Sequence, residues 1–411
     1  MPDQPVTDVA VTCTEPVLSD LVKVAAEDDT LPDGTILRQI FLDGGVAIDM
    51  DGNVAFGGES DDGTDAVFTQ AGKIVAEDDT LLDGTTLSVF RPLGEVAIGG
   101  ESASLVAFHG EAETGFNDTD AVFTQTGVVA QVGDTLSDGT INQIDDEGKV
   151  AINNFDQVAF HGTVEIESGL TDDQFRAVFI SDGQTTRVAA KVGDTLDGAT
   201  VEEINKIGGV AINDFDEVAF HGRVVDPGFG SDTLKAVFTT DGLVAQEASE
   251  LPDGNTLDNI NEDGGVAINL FGDVAFHGSV IIPDAGSDAK RAVLTGEGVI
   301  AKEGDTLGGT ILDEIEVSGG VAINLFGDVV FHGRTGGVKA LFTQHGLVAK
   351  VGDNLNDGTT LKDIKDNGGV AVKPYGFEAA FHGVISVGDP GAGVDAVLVG
   401  QAPTGASPPT P

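Results

Sequence analysis

Residues 264–278 read Gly-Gly-Val-Ala-Ile-Asn-Leu-Phe-Gly-Asp-Val-Ala-Phe-His-Gly, and variants of this stretch recur along the whole chain. Two short apolar runs flank a turn-forming Asn-Leu-Phe-Gly-Asp, the signature of a tight β-hairpin. The second strand of the hairpin ends at Phe56, Phe108, Phe160, Phe220, Phe276, Phe331 and Phe381. A period of about 50 to 60 residues means a stacked or circular array with a shared core, not a string of separate domains.

Each unit contains four strand-like segments, which in the fifth are 265–269, 273–277, 291–295 and 298–302. The Val-Ala-Ile-like strand begins at Val46, Val96, Val150, Val210, Val266, Val321 and Val370. The Ala-Val-Phe-like strand begins at Ala66, Ala121, Ala177, Ala236, Ala292, Ala340 and Ala396, and the fourth type is marked by Val24, Val75, Val129, Val188, Val244, Ile300 and Val348. The first fourth-type strand, 21–26, precedes any complete unit, and the last unit ends at 396–399 without one. A closed ring resolves both ends, because the orphan strand completes the last blade and removes an exposed edge. The expected fold is all-β: a seven-bladed β-propeller with four-stranded blades, closed by an N-terminal strand in the last blade. Residues 1–17 read as an extension, 18–400 as the propeller and 401–411 as a Pro-rich disordered tail or linker.

Segments such as Gly133-Asp-Thr-Leu-Ser-Asp-Gly-Thr140 connect each outer strand to the next blade. Asp-Gly supplies the turn, and apolar pairs such as Ile141 and Ile144, or Leu361 and Ile364, are expected to tuck against the sheet. Together with Asn269-x-x-Gly272-x-x-x-Phe276 and Asn324-x-x-Gly327-x-x-x-Phe331, these crossovers resemble bacterial tandem-repeat proteins named for an Asn-x-x-Gly-x-x-x-Phe motif. The resemblance covers about 21–400 and implies a predicted β-propeller of the cell exterior; it brings no catalytic residues. Asp156 and Asp216 replace the motif glycine, and 95–108 and 370–381 have altered turns. Irregular inner hairpins are expected there.

The formal net charge is −49. It argues against nucleic acid, whose phosphates would be repelled, and against anionic membranes. A solvated surface suited to a salty or cation-rich exterior fits it. No run is long enough to span a bilayer, and no secretory signal is visible in this sequence, as expected of a chain that stays inside or of a mature or trimmed form. Cys13 is the only cysteine, so no intrachain disulfide can form.

His109, His161, His221, His277, His332 and His382 follow the second strand of six units, with Gly57 in the first. Sevenfold-related positions on second strands would lie roughly 10 Å apart, too far for one ion with bonds of about 2 Å. A structural role for them is expected, bonding a neighbouring turn. Calcium is the stronger ion hypothesis, with Asp49, Asp51 and Asn53 in one turn and Asp134 and Asp138 in a crossover as hard oxygen donors. The Asp-x-x-x-Asp-Gly pattern repeats at Asp79 and Asp83 and at Asp353 and Asp357, and Asp is equally what turns require.

No nucleophile elbow, His-Glu-x-x-His or phosphate loop is present. Trp is absent and Tyr375 is the single tyrosine, which weakens a sugar-stacking function; the recurring phenylalanines read as core. The function expected is that of a non-catalytic, extracellular or surface binding and structural module. The alternative is an enzyme at the central channel, a metal-assisted lyase or hydrolase. Long connections in blades three to five carry Ile166, Leu170 and Phe175, then Val224, Val225 and Phe229, then Val280, Ile281 and Ile282. These are the expected contacts for a protein partner or for self-association.

Overall fold

Alternating Val, Ala and Phe with few helix formers leave strands as the local solution, and a blade buried on both faces needs both sets of side chains to be apolar. In the computed structural model this holds throughout; it describes residues 21–401 and 403, except 93–94, 101–103, 114–117, 147, 168–171, 226–232, 284–287 and 388–391. The chain begins with β1 (Val22–Ala26). Blade one follows as β2 (Leu37–Ile40), β3 (Val46–Ile48), β4 (Val54–Ser60), β5 (Asp65–Thr69) and β6 (Gly72–Ala76). Both β2 and β3 pair with β4, β4 pairs with β5, and β5 with β6.

The inner strand of each blade is therefore longer than the hairpin motif suggests. Its first half lies in what the sequence presents as a crossover: β2 in blade one, Leu361–Ile364 in blade seven. Ile141, Ile144, Leu361 and Ile364 are buried as expected, but as members of the sheet. The inner halves β3, Ala97–Gly99, Ala151–Ile152, Val210–Ile212, the end of Thr256–Ile268, Val321–Ile323 and Val370–Val372 touch one another in succession, and the last touches the first. Among the described residues the blades number seven, and they close on themselves.

The closing strand is the expected one. β1 pairs antiparallel with Gly393–Gln401, with Val22 opposite Val399 and Ala26 opposite Ala396. The interfaces between blades join a bulky face to a small one. Phe56 and Phe68 of blade one pack on Ala380 and Val397 of blade seven. Phe108 and Phe123 of blade two pack on Ala55 and Val67 of blade one, and Phe220 and Phe238 of blade four on Ala159 and Val178 of blade three. In blades one, two, three, four and six the two phenylalanines stack, with centroids 5.1 Å apart for Phe160 and Phe179, and Leu294 and Leu398 replace the second ring in blades five and seven. Large-against-small packing repeated in one direction gives every blade the same neighbour and lets the array close.

The six histidines are buried at the bend between the two halves of the inner strand. His221 Nε2 donates to the Gly265 carbonyl at 3.1 Å, and His277 Nε2 to Gly320 at 3.0 Å, each crossing to the next blade. Room for the ring comes from a glycine: a Cβ at Gly264 would stand 2.5 Å from His277 Cδ2 and from the Val317 carbonyl. Gly264→Ala is thus expected to cost about 1–3 kcal/mol through overpacking, read by chemical denaturation, whereas an unchanged midpoint would show that the bend has slack. Blade one has Gly57 in place of the histidine, and the rings of Phe41 and Phe90 lie against it.

Asp156 and Asp216 do not distort their hairpins. Each adopts φ 63°, the left-handed conformation that Gly272 and Gly327 take at the same position, and strand pairing beside them is regular. Aspartate tolerates that region better than most side chains. The parts of the expected N-terminal extension and C-terminal tail at 1–17 and 404–411 lie outside the described residues.

Candidate functional site

The inner hairpin turns converge at one end of the axis, and their asparagines organise them. Asn269 Oδ1 accepts from Phe271 N at 2.9 Å and from Asp273 N at 3.0 Å, which closes the turn. Its Nδ2 donates to the Asn324 carbonyl of the next blade at 3.3 Å. The same donation runs from Asn153 to Asn213 at 3.1 Å, from Asn213 to Asn269 at 3.2 Å, and from Asn324 to the Gly376 carbonyl at 2.9 Å. One amide thus fixes its own turn with its oxygen and the adjacent blade with its nitrogen. Asn269→Ala removes both functions at a buried site, and a loss of about 1–3 kcal/mol is expected; denaturation indistinguishable from the parent would discount the relay.

Blades one and two use other chemistry. Asp49, with no amide nitrogen to donate, accepts from Asp51 N, Asn53 N, Asn53 Nδ2 and Ser104 Oγ, the last reaching from blade two. At Gly99 a Cβ would lie 2.9 Å from the Asn153 carbonyl, so the next blade occupies the space a side chain would need.

These turns enclose an axial mouth of about 130 Å³, lined by Ile98, Ile152, Ile212, Ile268 and Ile323 below, and by Asp49, the relay asparagines, Asp214 and Tyr375 above. Asp214 accepts from Asn154 N at 2.9 Å and Asn154 Nδ2 at 2.8 Å. Its volume is well under the roughly 300 Å³ at which pockets for small molecules begin.

The residue two positions after each motif asparagine, or after Lys373 in the same place in blade seven, stands out from the turn. Phe155, Phe215, Phe271, Phe326 and Tyr375 are 58%, 74%, 73%, 57% and 50% exposed. The expectation that the recurring phenylalanines are core therefore holds for the strand positions and fails for the turn positions. A side chain at the tip of a two-strand turn is only partly covered; Phe326 stacks on Phe377 of the next blade with centroids 5.9 Å apart and is still largely exposed.

The calcium candidates fall in two separate places. Asp49, Asp51 and Asn53 form the blade-one turn just described. Asp134 Oδ2 accepts from Gln131 N at 2.9 Å within the crossover, while Asp138 Oδ2 accepts from Lys191 Nζ at 2.8 Å. Corresponding aspartates bind the backbone of the next outer strand: Asp33 to Lys73 N and Asp83 to Val128 N. Among the described residues no group of three His, Cys, Asp or Glu side chains gathers as a metal would need. Added salt is expected to raise stability by screening the net charge. A calcium site requires a further rise at matched ionic strength, and none would leave screening alone.

The expected partner surface is divided. Val224 and Val280 are buried in the core, which corrects their placement in an exposed patch: each faces inward on a second strand that runs on past the hairpin. Phe175 is half-buried and carries Lys191 Nζ 5.0 Å over its ring. Ile166 and Val225 are exposed, Ile281 and Ile282 are intermediate, and Leu170 and Phe229 lie outside the described residues.

A family described as "Family of unknown function (DUF7453)" matches residues 16–298, well over half of the chain. The chain belongs to this family. Similar solved structures include a polysaccharide lyase, PL25 ulvan lyase, at 8% identity and TM-score 0.40, covering 92% of this DUF7453 chain and 96% of that one. Another is the PQQ-bound aldose sugar dehydrogenase of Streptomyces coelicolor, at 12% identity and TM-score 0.32, covering 94% and 99%. A third is the GH93 α-L-arabinofuranosidase of Fusarium graminearum, at 12% and 0.32, covering 93% and 97%. No curated protein matches significantly. Among the described residues no helix is long and apolar enough to cross a membrane.

Proposed function

We propose that this chain is a non-catalytic, acidic propeller working as an extracellular or surface-exposed binding and structural module. The observation that carries the reading is the axial mouth, where about 130 Å³ is enclosed by repeated isoleucines and by amides already bonded between blades. Catalysis requires groups free to bond a reacting substrate, and here those at the axis hold the ring together. The likeness of the Asn-x-x-Gly-x-x-x-Phe repeats to predicted propellers of the cell exterior, and the charge of −49, support the exterior placement.

The competing reading is a metal-assisted lyase or hydrolase at the channel. Asp49 and Asp214 are the carboxylates at the mouth, and both are occupied as acceptors by their own and adjacent turns. The test is a turnover screen of the purified protein against acidic and neutral polysaccharides with divalent cations supplied. No turnover is expected. Turnover abolished by Asp49→Asn or Asp214→Asn would overturn the binding-module reading.

A further inference from the structure

Five consecutive blades, three to seven, each raise one exposed aromatic ring beside the axial mouth. We infer that this crescent is a docking surface for a cationic protein segment in which Lys or Arg alternates with apolar residues; the inference rests on the binding-module reading and names its partner class.

The backbone that carries the rings is held, not loose. The backbone nitrogens of Phe155, Phe215, Phe271 and Phe326 each donate to the side-chain oxygen of the motif asparagine two residues earlier, at 2.9–3.0 Å. Neighbouring turns are also tied together, Asn154 to Asp214 and Leu325 N to the Pro374 carbonyl at 2.9 Å. A platform already ordered gives up little conformational entropy on binding. Exposed phenylalanine at one turn would be unremarkable; the same exposure on five adjacent turns concentrates apolar surface in one place.

Charge selects the occupant. Asp156, Asp214, Asp216, Glu217 and Asp273 lie within two residues of three of these rings. Two nearby cations are already paired: Lys373 on the blade-seven turn with Glu378 at 2.9 Å, and Arg187 on the outer strand of blade three with Asp216 at 3.2 Å. Aromatic faces edged by more carboxylates than cations attract ammonium and guanidinium groups through both the ring quadrupole and Coulomb energy, and they repel anionic lipid and nucleic acid. A glycan fits less well. Its hydroxyls need free donors and acceptors, and the asparagines at the mouth spend theirs on the turns and the next blade.

The experiment measures binding of two synthetic peptides, one alternating Lys with Leu and one of equal length alternating Lys with Ser, to the full chain by fluorescence anisotropy. The variant Phe155→Ser/Phe215→Ser/Phe271→Ser removes three exposed rings and is expected to fold as the parent does, checked by an unchanged melting curve. The control Ile166→Ser/Val225→Ser alters the opposite end of the second strands. The Lys-Leu peptide is expected to bind at least tenfold more tightly than the Lys-Ser peptide. That advantage should vanish in the triple variant and persist in the control. Equal affinity for the two peptides, or an advantage that survives in the triple variant, would overturn the inference by leaving only diffuse attraction to a charged body. So would preferential binding of chito-oligosaccharide or of zwitterionic vesicles to the rings. None of these outcomes bears on turnover, so the inference and the binding-module reading fail separately.

Discussion

A chain lacking residues 1–26 is expected to melt roughly 10 °C lower and to associate in a concentration-dependent way. The deletion removes β1, and with it the buried Leu21, Ala25 and Ala26 and the ladder to Gly393–Gln401. Burying one leucine contributes about 1.5–3 kcal/mol, and the alanines and the ladder bring the loss to about 5 kcal/mol. At roughly 2 °C per kcal/mol for a chain of this size, that is the expected shift. The same deletion uncovers Val397 and Val399 on an unpaired edge that can recruit another copy. A synthetic peptide of residues 18–28 should restore the melting temperature and dissolve the association. An unaltered melting curve would rule out closure by this strand.

The second large effect is an acid transition near pH 5. Burial holds His109, His277 and His382 down at about 4 and His161 and His332 at about 3, and it lowers His221 as well. In the unfolded chain these imidazoles take up protons near their ordinary value of about 6.5. Below that pH the unfolded state binds more protons than the folded one, so stability is fully present above about 6.5 and is lost as pH falls toward 4 and 3. Each group contributes a slope of about 1.4 kcal/mol per pH unit, and the five held at about 3 to 4 together contribute about 7. Against a folding free energy of about 5–15 kcal/mol, one to two units suffice. Protonation of surface carboxylates relieves repulsion and acts in the opposite direction, but those groups titrate mostly below the window in which the histidines do. Circular dichroism from pH 7.5 downward reads the transition. Retention of native structure at pH 4 would contradict it, and replacing two of the histidines with Gln should move the midpoint down.

The repeat, the ring closure and the burial of the strand phenylalanines were legible because each is written several times at fixed spacing. Val46, Val266 and Val370 announce the same strand in three blades, and the missing outer strand near Ala396 finds its complement near Val24. The split inner strand was not legible. Its first half, such as Leu361–Ile364, is separated from the motif by a bend whose Gly-Gly pair reads as an ordinary turn. The reason for that pair is the histidine ring pressed against it, a contact distant in sequence. The exposed rim could have been found: Phe271 lies at the tip of a turn between two strands, where a side chain is only partly covered. Val224 and Val280 misled because a strand continuing past its hairpin motif keeps the alternation of inward and outward positions. The role of the crossover aspartates, which bond a neighbouring blade, depends on pairings that spacing alone does not reveal.

The donations from motif asparagines to the next blade's carbonyl run in one direction, along the arc from blade three to blade seven. Of the remaining three junctions, seven to one borders the one blade assembled from both ends of the chain. The ring therefore has a clasp. Transient opening should start where β1 meets Gly393–Gln401, and amide hydrogens there should exchange with solvent before those of Val218–Val225 or Val274–Ile281. A circular permutant with new termini in a crossover of the bonded arc, and the native ends joined, would move the break into the best-braced part of the circle. It would show whether the relay can hold a seam that the present chain entrusts to a single strand.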